Sequence, residues 1–208
     1  MLFREGFNSF HVDFGDEKLI GRELECWDKV GYLKSLGSEM KLTAHIMSVS
    51  GSHKLSVERL ANRCLEEGFE IIYIHSRSFK DFYDLLKFKE MTFQNAHHIF
   101  GVVSEISDKK NDDLINFVSE NSIKNLLQMG VPIGKGGQRF NWAATDRIDE
   151  FKKDCKSLSN IEIDGGLTFD IIKKLDKQKI DRYAGWSIIY DSNPLEVITK
   201  ANDINIII

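Results

Sequence analysis

Four side chains in this chain of 208 residues have the types and settings needed to hold a cation. His11 and Asp13 lie two apart in the short apolar segment SFHVDF, Ser9–Phe14. Residues two apart on a strand point to the same side, so there an imidazole and a carboxylate project together. His45 sits inside the apolar run TAHIM, and Asp164 closes NIEID. Two imidazoles and two carboxylates, each in or at the end of an apolar run, form a mixed nitrogen and oxygen set. Such a set suits a divalent ion such as zinc, iron, manganese or cobalt. Any one of these histidines alone reads more readily as a satisfied core or rim residue. The coincidence of the HxD pair, a strand histidine and a strand-terminal aspartate brings the metal reading level with it.

A second group is rich in glycine. Gly134, Lys135, Gly136, Gly137 and Gln138 follow the apolar run that ends at Met129. Gly165 and Gly166 follow Asp164, and Gly185, Trp186 and Ser187 follow another such run. Glycine lets backbone amides come close to an anion, and loops after the last strands of a β/α barrel commonly hold a phosphate. Tight turns are the competing explanation for each loop singly.

These residues need elements to position them. Strand patterns fall at Ser9–Phe14, Lys41–Ser48, Glu70–Ser76, Ile99–Glu105, Asn125–Gly130, Asn160–Gly166 and Arg182–Ile189. Amphipathic helical patterns lie between them, at Arg22–Leu36, Ser56–Gly68, Phe79–Asn95, Asp112–Glu120, Thr145–Ser157 and Thr168–Lys177, with a last one at Pro194–Ala201. Ser56 is the expected N-cap of its helix and Gly68 its stop. Alternation of this kind specifies an α/β fold with a parallel sheet, either doubly wound or closed as a (β/α)8 TIM barrel. Both place reactive groups at the C-terminal ends of strands.

Composition narrows the class of protein. Hydrophobic residues make up 42% and charged residues 29% of the chain, ordinary values that exclude a wholly disordered or fibrous chain. A formal net charge of −4, with both signs mixed along the chain, argues against nucleic acid as a partner. Two prolines and no low-complexity stretch predict a single domain over residues 1–208. The cysteines Cys26, Cys64 and Cys155 are odd in number and far apart, which suggests no disulfide framework and a reducing, cytoplasmic setting. Neither a membrane span nor a signal peptide is expected.

The segments HVDFGD, TAHIM, MGVPIGKGGQRF, IDGGLTFDIIKKL and YAGWSII resemble, in order and spacing, the ribulose-phosphate 3-epimerase family of (β/α)8 barrels. The resemblance runs from about Gly6 to about Pro194, and Met129–Phe140 carries its most specific motif. It implies one divalent metal ion held by His11, Asp13, His45 and Asp164, with Asp13 and Asp164 also the acid–base pair. It places Met47 and Met129 beside the bound substrate. It implies a phosphate held by the backbone amides of Gly137, Gly165, Gly166, Gly185 and Trp186, with Ser187 an extra donor. The implied partner is a small-molecule sugar phosphate, and the implied assembly is a homo-oligomer.

The chain departs from the family pattern in ways that bear on this expectation. The first strand–helix unit that usually precedes HVD is missing, and the β-prone C-terminal segment Ile204–Ile208 is expected to fill its slot. Gly15 stands where the family has methionine, in a shortened loop. Glu105 is expected to bring a negative charge near the substrate, and Trp186 stands in place of a small residue. His75 either reaches the pocket or packs at its rim, while Trp27 and Trp142 read as packing anchors. The resulting expectation is an isomerase that inverts C3 of ribulose 5-phosphate or xylulose 5-phosphate through an enediolate. The alternatives are an epimerase of a related hexulose 6-phosphate and a non-catalytic barrel that binds metal or phosphate.

Overall fold

The computed structural model describes residues 9–37, 40–51, 53–106, 111–175 and 180–185. Along them strand and helix alternate as the periodicity predicts: β1 (Ser9–Gly15), α1 (Glu17–Ile20), α2 (Trp27–Leu36), β2 (Lys41–Met47), α3 (Val57–Glu66), β3 (Ile71–His75), α4 (Phe82–Thr92), β4 (Phe100–Ser104), α5 (Asn111–Glu120), β5 (Asn125–Met129), α6 (Ala143–Asp154), β6 (Asn160–Asp164), α7 (Phe169–Lys174) and β7 (Arg182–Ala184). The strand order follows the chain, β1 to β7. The expected helix at Pro194–Ala201, the slot-filling segment Ile204–Ile208, and the site residues Trp186 and Ser187 lie outside the described residues.

The described chain divides into two compact units. The first takes in Ser9–Val103 and Ile123–Asn125; the second takes in Ser104–Ser122 and the described residues from Leu126 onward. In the first unit the strand pairs are parallel and their register sets the site. His11 lies beside Thr43 and Asp13 beside His45. His45 lies beside Tyr73, and Tyr73 beside Gly101. Paired residues face the same way, so the polar groups form rows on one face of the sheet. Gly101 makes room for the last of them, because a Cβ there would come within 2.6 Å of the Tyr73 ring. The opposite face carries Phe14, Ala44, Ile46, Ile72, Ile74, Phe100 and Val102, all at 0% exposure. α3 adds Leu60, Ala61 and Cys64 to the core of this unit.

Helix α1 is a single turn that hydrophobic periodicity does not reveal. Its N-cap Asp16 accepts a hydrogen bond from the Leu19 amide at 2.8 Å. The other carboxylate oxygen accepts from Ser48 Oγ at 2.9 Å and from the Val49 amide at 3.0 Å. One buried side chain thus ties the loop after β1 to the loop after β2. Its carboxyl is held below the usual range: burial raises it, but the Val49 and Leu19 amides, Ser48 and His53 outweigh that. Asp16→Ala removes a cap and strands the donors that faced it, and is expected to cost about 2–4 kcal/mol in urea unfolding. Asp16→Asn retains an acceptor for Leu19 and is expected to cost less.

Ser56 occupies the N-cap position of α3, but its side chain makes no capping hydrogen bond. Gly68 lies just past the C-cap with φ +71°, the left-handed stop the sequence predicts. Trp27 packs on Phe14 with ring centroids 4.4 Å apart, and the Arg63 guanidinium lies 4.1 Å from its ring. Trp142 is 45% exposed and meets Phe140 edge-on at 5.2 Å.

In the second unit β6 and β7 pair in parallel, with Asp164 beside Ala184. Gln128 of β5 donates from Nε2 to the carbonyls of Ser104, at 3.2 Å, and Met129, at 3.0 Å. α6 contributes Ala144, Ile148 and Phe151 to the core. The loops after β5 and β6 pack closely together. The Gly130 amide donates to the Asp164 carbonyl at 2.6 Å, and the Asn141 amide donates to the Gly130 carbonyl at 2.9 Å. Gly166 has φ +70°, and a Cβ on it would come within 2.7 Å of the Phe140 backbone nitrogen. No disulfide is formed by Cys26, Cys64 or Cys155, and among the described residues no helix is long and apolar enough to cross a membrane.

Candidate metal centre

β1 and β2 bring three of the predicted ligands together. His45 Nδ1 lies 3.2 Å from Asp13 Oδ1, and His11 Nε2 lies 3.6 Å from the same oxygen. The two imidazole rings meet edge-on with centroids 5.7 Å apart. Bonds of about 2.1 Å to one ion put neighbouring donor atoms roughly 3.0–3.5 Å apart, so the spacing suits a shared cation. The HxD pair lies in the middle of β1, which continues to Gly15, rather than at its end.

The far side of each imidazole is held by the fold. His11 Nδ1 lies 3.2 Å from Thr43 Oγ1, its neighbour in register. His45 Nε2 lies 2.7 Å from His75 Nε2 on β3. Each ring therefore turns its other nitrogen toward Asp13. A nitrogen anchored on the far side fixes the orientation of an imidazole ligand, as metal sites commonly require. His45 is 1% exposed, His11 13% and Asp13 46%, and the Asp13 oxygen that faces the two imidazoles is itself buried.

The charge states agree with the ligand chemistry. Burial pushes the His45 imidazole below its usual pKa, and His75 and His11 add to this, while Asp13 opposes it. That direction favours the neutral imidazole, the form able to ligate a metal. Desolvation raises the Asp13 carboxyl, but the His11 and His45 imidazoles together outweigh it and hold the group well below the ordinary carboxylate range. An ionised carboxylate flanked by two imidazoles is the donor set a zinc, iron, manganese or cobalt ion takes.

The remaining predicted residues fall as follows. Met47 closes β2, two residues beyond His45 on the same face, and is 6% exposed. Met129 closes β5 and is 3% exposed. Asp164 closes β6. Gly137, Gly165 and Gly166 all have positive φ, at +72°, +95° and +70°. The Gly165 amide donates to the Ala184 carbonyl at 3.2 Å, a bond that occupies the very group expected to face a phosphate. Gln138 closes the glycine loop by donating from Nε2 to the carbonyls of Pro132, at 2.6 Å, and Lys135, at 2.8 Å. Gly185 directly follows β7. Glu105 is 6% exposed and follows β4. The supporting roles of Thr43 and His75 were not predicted. The signal is present, since each lies two residues from a polar neighbour on the same strand face, in TAH and YIH.

Together these features describe a TIM-barrel-type protein with a His–Asp cluster able to take a divalent ion. Solved structures similar to it share that architecture. A structure of KGPDC from Streptococcus mutans matches with a TM-score of 0.64 at 12% identity, over 93% of this chain and 84% of that one. 3-Hexulose-6-phosphate synthase from Salmonella typhimurium matches with a TM-score of 0.63 at 13% identity, over 93% and 85%. Phosphoribosyl anthranilate isomerase from Thermus thermophilus matches with a TM-score of 0.62 at 9% identity, over 98% and 92%. At such identities the likeness establishes the fold, an α/β TIM barrel. No curated protein matches the chain in sequence. The chain belongs to the Ribulose-phosphate 3 epimerase family, whose pattern it matches over residues 1–190.

Proposed function

We propose that this protein is a metal-dependent epimerase that inverts C3 of a ketose phosphate, with ribulose 5-phosphate and xylulose 5-phosphate as the substrate pair. The observation that carries the reading is the convergence of His11, Asp13 and His45, with both imidazoles anchored from behind, in a member of this family. Asp164, the last residue of β6, is the fourth ligand in this reading. When bound, the divalent ion supplies Lewis-acid stabilisation of the negative charge that builds on the substrate oxygens.

Inversion needs a proton taken from C3 on one face and another returned to the opposite face. Asp13 and Asp164 carry out these two transfers. One is ionised and accepts the C3 proton; the other is protonated and delivers its proton to the far side of the enediolate. The C3–H bond breaks, a new C3–H bond forms, and the two carboxyl groups exchange protonation states. The reverse reaction then starts from the opposite assignment. Met47 and Met129 line the substrate without offering a competing acid. The phosphate sits on the amides of Gly137, Gly166, Gly185 and Trp186, with Ser187 a further donor. Gly165, its own amide bonded to Ala184, serves by letting the loop come close.

The test is exchange of the C3 proton of ribulose 5-phosphate in deuterated water, followed by NMR with Zn²⁺, Fe²⁺, Mn²⁺ or Co²⁺ added in turn. Loss of the C3 proton signal with a metal, and its retention with chelator, is the expected result. Exchange only with a hexulose 6-phosphate would move the substrate to that sugar. No exchange with any ketose phosphate would overturn the enzymatic reading and leave a binding barrel.

A further inference from the structure

We propose that His75 is a positioning residue for the metal centre, setting the direction in which His45 presents its ligand nitrogen. This rests on the reading of His11, Asp13 and His45 as metal ligands. His75 ends β3, two residues past Tyr73, and Tyr73 is the register partner of His45. That offset brings the two imidazoles into partial stacking, with centroids 5.0 Å apart and planes inclined by 27°. Their Nε2 atoms are 2.7 Å apart, and both residues are 1% exposed.

A contact this short between two ring nitrogens needs one N–H and one lone pair, since two lone pairs or two N–H groups would repel. The direction of that hydrogen bond decides the state of the far nitrogen of a neutral His45. With the hydrogen on His45 Nε2, the Nδ1 atom carries a lone pair that faces Asp13 Oδ1 at 3.2 Å, an arrangement that a cation held between the two stabilises. With the hydrogen on His75, His45 Nδ1 carries a hydrogen, donates it to Asp13 Oδ1 and is no ligand. His75 acting as acceptor therefore selects the ligating tautomer and fixes the ring plane. No water competes for the contact, because both rings are closed off from solvent. Partners of this kind commonly account for about 10–100-fold in metal affinity.

Thr43 stands behind His11 at 3.2 Å, so the two imidazoles are supported differently: one by a hydroxyl, one by a second imidazole. The hydroxyl both donates and accepts and is indifferent to the tautomer. The imidazole supports the ligating tautomer of His45 when its own hydrogen sits on Nδ1, so the state of His75 and the state of His45 are tied together.

The experiment compares Co²⁺ binding by the wild-type chain, His75→Leu and His75→Gln, read by competition with a chromogenic chelator and by the visible spectrum of bound Co²⁺. Far-UV circular dichroism and metal-free melting temperature are measured alongside. His75→Leu is expected to bind Co²⁺ about 10–100-fold more weakly with an altered spectrum. His75→Gln, whose side-chain oxygen replaces the Nε2 acceptor, is expected to recover most of the affinity and the wild-type spectrum. If both folded variants bind like the wild type with the same spectrum, the positioning role is wrong and the metal centre stands. If Gln binds as weakly as Leu despite a wild-type melting temperature, the acceptor role is wrong. If the wild-type chain binds no Co²⁺, the ligand reading itself fails, and this inference with it.

Discussion

Asp13→Asn and Asp164→Asn are each expected to abolish C3 proton exchange on ribulose 5-phosphate while leaving the chain folded. A positioned acid or base contributes roughly 10²–10⁴-fold, and in this reading each substitution also weakens a ligand. The loss should therefore reach the upper part of that range. The fold should tolerate the Asp13 change because asparagine keeps the shape of the side chain and an oxygen acceptor, and β1 is anchored by Phe14 on the opposite face, at 0% exposure. Exchange assays at saturating metal, with bound metal measured on the same samples, separate the two contributions. A variant that keeps its ion and still exchanges at the wild-type rate would remove that aspartate from proton transfer.

Gly166→Ala should produce a large loss of stability for the addition of a single methyl group. The residue has φ +70°, and the added carbon would meet the Phe140 backbone, with the amide nitrogen at 2.7 Å and the Cα at 2.8 Å. Backbone atoms do not rotate away as a side-chain tip does. The left-handed conformation costs alanine about 1–2 kcal/mol and forced overpacking about 1–3 kcal/mol more. The sum, roughly 2–5 kcal/mol, corresponds to a drop of about 5–15 °C in melting temperature for a domain of this size. Gly136→Ala is the control, since nothing lies within 4 Å of a Cβ there. Equal stability of the two variants would show that the loops after β5 and β6 do not pack as described.

The chemistry of the centre was legible because a strand repeats every two residues and parallel neighbours align. HxD in one strand and a histidine in the next are enough to predict a shared face. What the pattern could not supply was register. The pairing of Asp13 with His45 is one of several offsets the sequence allows, and the reach of His75 to His45 depends on another. Periodicity therefore left His75 between pocket and rim. Asp16 was hidden for a related reason: its partners Ser48 and Val49 come from a different loop, and a one-turn helix has no period to detect. The glycines were read for their amides. Their observed use is partly different, since Gly165 donates to Ala184, and Gly130 and Gly166 leave the space that Phe140 fills.

The buried cysteines give each unit an internal reporter. Cys64 lies on α3 in the first unit at 0% exposure, and Cys155 follows α6 in the second at 2%. Burial pushes the Cys155 thiol up to about 11, with Asp154 adding to the effect, and raises the Cys64 thiol as well. Neither sulfur reacts as a thiolate while its surroundings are closed. Pulsed alkylation followed by peptide mass analysis would therefore time the opening of each half separately, with no label introduced, and would show whether the two halves breathe together or one before the other.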